Sequence, residues 1–340
     1  MPRASLFYGS RNIEVKEKSI RNLNSKELLI RVKACGICGT DIHIFNGSQG
    51  STRVNPPVVL GHEFSGEVVQ VGPEVKGFQV GDRITVDPNI YCGECFYCKN
   101  GKRHLCENLT ALGVNLDGGF QEYCILPYTQ AYKIPEHLSF EEGAMVEPLA
   151  CCLHGIDLAE IDAGETVAII GGGTIGLLMT QLAKLRGASF IMVSEPVEKR
   201  RNLALELGAN CVINPMEQTT KEVISQKYPA GFDVVIECAG NKSAIEQALT
   251  LVKRGGTVLL FSVSDVNTQI SVRPFEIFYK ELTIKGSFIN PHTHGRAIEL
   301  IASGLVNVKP LITHCFPLES IEQAIATQTS PDAIKVLVKP

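Results

Sequence analysis

The chain carries no basic excess: 32 Lys and Arg stand against 36 Asp and Glu, for a formal net charge of -4 and a pI near 6.1. Those cations are scattered, so neither a nucleic acid nor an anionic membrane surface is expected as a partner, and a small molecule is. The N-terminal stretch "MPRASLFYGSRN" lacks both a continuous apolar segment and a cleavage site, which makes the cytoplasm the expected location. Internal repeats and low-complexity linkers are missing as well. One uncharged run, Thr166 to Ala183, has the length of a membrane helix, yet "GGGTIG" interrupts it and polar residues follow. It reads as a buried strand, a turn and the start of a helix. With 340 residues, 44% of them hydrophobic, the chain has material for two domains with separate cores.

Cysteine, by contrast, is plentiful. Of twelve, Cys92, Cys95, Cys98 and Cys106 crowd into "YCGECFYCKNGKRHLC". Their spacing lets a short loop in a reducing compartment fold four thiolates around one tetrahedral zinc; unpaired surface cysteines are the plainer alternative. A zinc-finger nucleic-acid module fits poorly, because the lobe has no basic stripe and no helix with paired histidines follows it.

"VAIIGGGTIGLLMTQLAKLRGA", from Val167, runs from an apolar strand pattern into glycines at 171, 173 and 176 and then into a helical pattern. Gly171 permits a tight turn, Gly173 lets backbone approach a pyrophosphate, and Gly176 allows helix to pack closely on strand; Thr174 and Ile175 open the helix whose N-terminus faces the phosphates. The next apolar run, "FIMVSE", places Glu195 where an acid can take both ribose hydroxyls of an adenosine. A glycine-rich turn without ligand is the bland reading. The following segments, "RRNLALELGA", "CVINP", "TKEVISQKY", "FDVVIECAG", "SAIEQALTLVKRGG" and "TVLLFSV", alternate helix and strand. That alternation predicts an α/β fold with a doubly wound parallel sheet. Residues before about 150 differ: "ELLIRVKAC", "FSGEVVQVG", "DRITVDP" and "QEYCILP" are short Val/Ile runs broken by Gly, Pro and Asp, as in a β-rich domain.

The pair Cys35 and Cys38 in "ACGICGTDIH" admits three readings: a redox couple, part of a zinc site, or buried thiols. No thioredoxin-like βαβ surrounds it. His62 and Glu63 in "VVLGHEFSGEVV" offer a nitrogen and an oxygen that could join Cys38 on a metal, although spacing alone does not unite them.

Taken with "VGDRITVDP", the four-cysteine lobe, "VEPLACCLHG", "GGGTIG" and "VNVKPLITHCFPL" in that order, these stretches resemble the zinc-dependent medium-chain alcohol and polyol dehydrogenases over essentially the whole chain. The resemblance implies a GroES-like, zinc-containing catalytic domain over 1–149 and 287–340 and a Rossmann domain over 150–286. It implies two Zn2+ per chain, a structural ion on the four-cysteine lobe and a catalytic one on Cys38 and His62, with Glu63 and Glu147 as candidate carboxylates. Glu147 occupies the position where alcohol dehydrogenases usually carry cysteine and sorbitol-type enzymes glutamate, which favours the polyol branch. Thr40 and His43 become a proton relay, Cys151 a neighbour of the nicotinamide, and the assembly a homo-oligomer, a tetramer or dimer. "ELTIKGSFI" reads as the edge strand through which copies would pair.

Function is thus expected to be NAD-dependent oxidation of a secondary hydroxyl of a polyol to a ketone. A short vicinal diol of the butanediol type and L-threonine are alternatives, and a non-catalytic dinucleotide-binding protein is a remote one. NAD is expected over NADP because Glu195 would repel a 2′-phosphate, with Lys199, Arg200 and Arg201 turned mostly to solvent and Arg200 placed to reach the ribose. "KGSFINPHTHGR" carries Ile289 and Asn290 where sorbitol dehydrogenases hold the polyol with arginine and tyrosine, so sorbitol itself is disfavoured; Asn290 remains a candidate substrate contact. His154, His292, His294 and His314 are expected to bind no metal, and Cys124, Cys151, Cys152, Cys211, Cys238 and Cys315 to be small buried hydrophobes.

Overall fold

The computed structural model describes residues 1–50, 52–217 and 228–340. It divides into two compact units, 1–150 with 290–304 and 308–340, and 151–289 with 305–307.

In the first unit the strand Glu27–Gly36 lies at the centre of a seven-stranded mixed sheet. Glu63–Val71, Tyr123–Pro127 and Lys335–Lys339 all pair with it antiparallel. Ile30, Val32 and Ala34 are buried while Arg31 is exposed and Lys33 half-buried, the alternation of a strand whose faces meet different surroundings. Ala34 packs with Ala144 and Leu337, whereas Ile30 and Val32 join Phe64, Val68, Ile84, Val86 and Phe120 in the main core. Each such residue contributes about 1.5–3 kcal/mol by leaving water.

Three features of this unit are absent from the sequence reading: the hairpin Arg3–Gly9 with Asn12–Glu17, and the strands Ile312–Pro317 and Lys335–Lys339. Of the six cysteines expected to be buried, Cys315 is exposed on Ile312–Pro317, Cys151, Cys211 and Cys238 are half-buried, and Cys124 and Cys152 are buried.

Among the described residues the second unit holds six parallel strands in the order Cys211–Ile213, Phe190–Ser194, Thr166–Ile170, Phe232–Glu237, Val252–Leu260, Thr283–Gly286. Numbered along the chain this is 3-2-1-4-5-6, the doubly wound dinucleotide-binding order. Val167 to Ile170 are buried without alternation, as a strand covered on both faces requires. The helix expected over "SAIEQALTLVKRGG" ends at Leu251, and β structure starts at Val252. Val252 is β-branched and already pairs with Phe232, and Gly255 at φ 75 suits an irregular strand rather than a helix. "TKEVISQKY", apart from Tyr228, lies outside the described residues. Among the described residues no helix is long and apolar enough to cross a membrane.

Candidate active site

Strand register assembles the first cluster. Gly36 pairs with Glu63 and, on the other side, with Leu337. Cys38 therefore leaves the sheet beside His62, at the end where Lys335 enters it. Cys38 then caps the helix Gly39–Phe45, with its N–H donating to Asp41 Oδ2 at 2.9 Å. The other oxygen of that fully buried carboxylate accepts from Gly61 N–H at 3.3 Å and lies 3.5 Å from His62 Nδ1. Gly61 holds φ 89, and a Cβ there would meet Cys35 Sγ at 2.7 Å, so glycine is required at this bend. Gly36 is required for another reason: its Cβ would stand 2.1 Å from Glu63 Oε2.

The donor atoms of Cys38, His62 and Glu63 lie within 4.8 Å of one another. Lys335, 3% exposed, reaches the same place: its Nζ is 2.6 Å from Glu63 Oε2 and 3.1 Å from the carbonyl oxygen of Ile37. Glu147 stands outside the three-donor group, buried in the first turn of Val146–Ala159. Burial opposes charge on the His62 imidazole, yet neighbouring Asp41 and Cys38 outweigh it and push its pKa well above the usual value. For Lys335 likewise, burial is outweighed, chiefly by Glu63 and Cys38, and the pKa rises. A pocket that gathers Cys38, Asp41, Glu63 and Glu147 around a single ammonium is one that suits a divalent cation. With a thiol, an imidazole and carboxylates as donors, zinc fits it.

Cys92, Cys95, Cys98 and Cys106 form a second group. Sulfur separations of 3.9 Å (Cys92 to Cys98), 4.0 Å (Cys95 to Cys106) and 3.5 Å (Cys92 to Cys106) match the tetrahedral edge of about 3.8 Å that follows from Zn–S distances near 2.3 Å. Backbone N–H groups of Glu94 and Cys95 hold the Cys92 thiol down to about 6, whereas burial pushes Cys98 up to about 12. All twelve cysteines are free thiols, Cys35 and Cys38 included, so no disulfide joins that pair.

In the second unit Gly171 takes φ 101, and Gly173 caps the helix Thr174–Leu185 with open space where a Cβ would be. Gly176 sits so close to the strand that its Cβ would meet Gly171 O at 1.8 Å. These are the conformations a pyrophosphate cradle needs at a helix N-terminus. Glu195 is buried against the loop, with Oε2 accepting from Gly172 N–H at 2.7 Å and Oε1 from Val197 N–H at 2.9 Å. The arginines beyond it do not turn to solvent as expected. Arg200 lies 4.0 Å from Glu195 Oε1 with its side chain 19% exposed, and Arg201 donates to the carbonyls of Glu195 and Pro196 at 2.9 and 2.6 Å. The buried carboxylate and the backbone carbonyls draw them inward.

Thr40 and His43 are half-buried, three residues apart and hence neighbours on the helix Gly39–Phe45. Asn290 is fully buried and bonded to Asn89, and it approaches Glu147. Sequence reasoning missed Asp41 and Lys335. A signal existed for each: Asp41 stands three residues after the helix-capping Cys38, as in a capping box, and Lys335 is a lone charge inside the apolar run "AIKVLV".

A metal-suited donor group on a β-rich unit and a dinucleotide-type sheet in one chain define a zinc-dependent oxidoreductase. Residues 24–136 match the alcohol dehydrogenase GroES-like domain, and residues 174–303 the zinc-binding dehydrogenase domain. The chain is 36% identical to sorbitol dehydrogenase of Bacillus subtilis, covering 99% of this chain and 97% of that protein. It is 40% identical to L-threonine 3-dehydrogenase of Pyrococcus furiosus, covering 90% and 88%. A provisionally described zinc-binding dehydrogenase of Sinorhizobium meliloti, solved with NADP, superposes with TM-score 0.96 at 43% identity, covering 100% and 99%. The chain belongs to the zinc-dependent medium-chain alcohol and polyol dehydrogenase family and is an oxidoreductase acting on alcohols.

Proposed function

We propose that the chain oxidises a secondary hydroxyl of a pentitol, hexitol or related polyol to a ketone, with NAD as acceptor and two zinc ions per chain. The observation that carries this reading is the donor group of half-buried Cys38 and buried His62 and Glu63, with the carboxylate of Glu147 in the position where the family's polyol branch carries glutamate. Cys38, His62 and Glu147 would hold the catalytic ion. Glu63 lies within reach, but Lys335 engages one of its oxygens. Bound zinc would supply the charge that acidifies a hydroxyl, and a bound nicotinamide the acceptor for hydride.

The chain's own residues do the rest. Asp41 holds the Cys38 loop and the His62 ring in place from one carboxylate. Thr40 takes the hydroxyl proton and His43, one turn on, passes it toward water. Cys92, Cys95, Cys98 and Cys106 hold the structural ion. Gly171, Gly173 and Gly176, with Thr174 and Ile175, seat the pyrophosphate, and Glu195 faces the adenosine ribose.

NADP use is a second reading, favoured by Arg200 beside Glu195 and by the NADP-bound relative. For the substrate, the Pyrococcus furiosus relative keeps L-threonine as a second reading. A homo-oligomer is proposed too, through Thr283–Gly286 at the sheet edge, in a unit that also exposes Phe275, Phe278 and Tyr279. The deciding experiment assays a panel of polyols, vicinal diols and L-threonine for reduction of NAD and of NADP, with zinc measured on the same sample. A highest kcat/KM on a polyol with NAD is expected; a higher value on threonine or with NADP overturns that part of the reading.

A further inference from the structure

Behind Glu147 runs a buried polar chain whose direction is fixed from its far end. Asp87, a buried carboxylate, can only accept hydrogen bonds. Asn89 meets it with its backbone N–H at 3.0 Å and with Nδ2 at 3.2 Å, both to Oδ1. The same Nδ2 lies 2.6 Å from Asn290 Oδ1. Turning the Asn89 amide over would set its oxygen against a carboxylate and a second carbonyl oxygen, so Asp87 dictates the orientation of Asn89, and Asn89 that of Asn290. With its oxygen committed, the Asn290 amide directs its NH2 group the other way, 3.5 Å from Glu147 Oε1 and 3.4 Å from His294 Nδ1.

His294 agrees with that polarity. Its Nε2 is 3.3 Å from the carbonyl oxygen of Val86, which can only accept, so Nε2 carries the proton and Nδ1 is the acceptor. Burial lowers the pKa of this ring and disfavours its charged form, against the opposing pull of Asp87, whose Oδ2 lies 3.9 Å from Nδ1. Gln130 Nε2 ties the loop by donating to the carbonyls of Asp87 and Asn89 at 2.9 and 2.7 Å. The backbone bears the cost of the arrangement: Ile289 and His292 hold φ 47 and 59 on either side of Asn290. For a β-branched residue that conformation costs about 1–3 kcal/mol and persists where the surroundings over-determine it.

We propose that Asn290 is a positioning residue for Glu147, presenting an amide N–H to that carboxylate in an orientation set by Asp87 through Asn89. This differs from the substrate contact expected from sequence, for which the buried amide, its oxygen and both hydrogens taken by protein partners, has little left to offer. The inference rests on Glu147 as a ligand of the proposed catalytic zinc.

The test measures zinc affinity of the more labile site by competition with a chromophoric chelator, on the full chain loaded with both ions, alongside KM for the best polyol. Asn290→Leu is expected to weaken that zinc by about 10–100-fold while the four-cysteine ion stays bound and reports a folded domain. Asn89→Ala, which removes only the orienting donor, is expected to shift affinity in the same direction by less, and it decides the matter if Asn290→Leu does not accumulate. In a Glu147→Gln background, Asn290→Leu is expected to add less than about threefold. Unchanged zinc affinity with a raised KM in Asn290→Leu and Asn89→Ala overturns the inference and restores a substrate role. Wild-type zinc affinity in Glu147→Gln instead overturns the ligand reading beneath it.

Discussion

Replacing Lys335 by methionine removes one half of a buried ion pair and leaves the other. Lys335 and Glu63 are 3% and 1% exposed, with Nζ 2.6 Å from Oε2, and the same ammonium donates to the Ile37 carbonyl at 3.1 Å. Removing one partner from so deep a pair costs about 3–5 kcal/mol, because the remaining charge is left without compensation. The Ile37 carbonyl loses its donor as well, which accounts for about 1–3 kcal/mol of that sum. The double variant Lys335→Met/Glu63→Leu removes the orphaned carboxylate. An ion pair replaced whole by apolar groups of similar volume is roughly neutral, so the double variant should unfold within about 2 kcal/mol of the parent. Urea denaturation of protein stripped of the labile zinc by a chelator, so that no cation beside Glu63 replaces the ammonium, followed by circular dichroism, reads all three forms. A single variant within about 1 kcal/mol of the parent, or a double variant as unstable as the single, would refute the reasoning.

Cys95→Ser is expected to lose one zinc and to lower Tm by at least about 5 °C, since a closed thiolate site contributes folding energy; metal content and a thermal melt check it. Gly176→Ala places a Cβ 1.8 Å from Gly171 O, so helix and strand must part. Calorimetric titration should show NAD binding weakened by at least about tenfold, at a stability cost of about 1–3 kcal/mol. Arg21, hydrogen-bonded to Glu27, holds that carboxyl down to about 2 from the usual 4.5, with burial opposing and Asn24 N–H assisting. A depressed carboxyl stabilises above its unfolded pKa, and the contribution falls away as pH drops from about 4.5 toward 2. Arg21 is 56% exposed, so screening reduces the gain to about 1 kcal/mol. Arg21→Ala should lose that amount at pH 7 and progressively less below pH 4.5 in urea titrations.

Local patterns were legible in the sequence and distant pairings were not. Gly171, Gly173 and Gly176 announce strand, turn and helix because each glycine answers a backbone demand within a few residues. The four-cysteine lobe is local in the same way. Gly36 with Leu337, in contrast, is a contact between the two ends of the chain, and no periodicity in "AIKVLV" says which strand it will meet. Lys335 could be seen as an odd charge, but its partner Glu63 emerges only once that register is known. Cys38 and His62 were read through a motif resemblance; Asp41, which binds the loop of one and orients the ring of the other, was visible only as a capping residue. Asn89 and Asn290 meet across 201 positions, so the polarity of that chain belongs to the fold alone.

The central claim is that Cys38, with His62 and Glu147, holds a zinc ion on which alcohol oxidation depends, separate from the ion of the four-cysteine lobe. Zinc content per chain, measured together with NAD reduction on the best alcohol for the parent and for Cys38→Ser, tests it most directly. The account predicts two ions and turnover in the parent, and one ion, a folded protein and no turnover in the variant. Full activity with a single ion per chain in the parent, or turnover retained by Cys38→Ser, would contradict it.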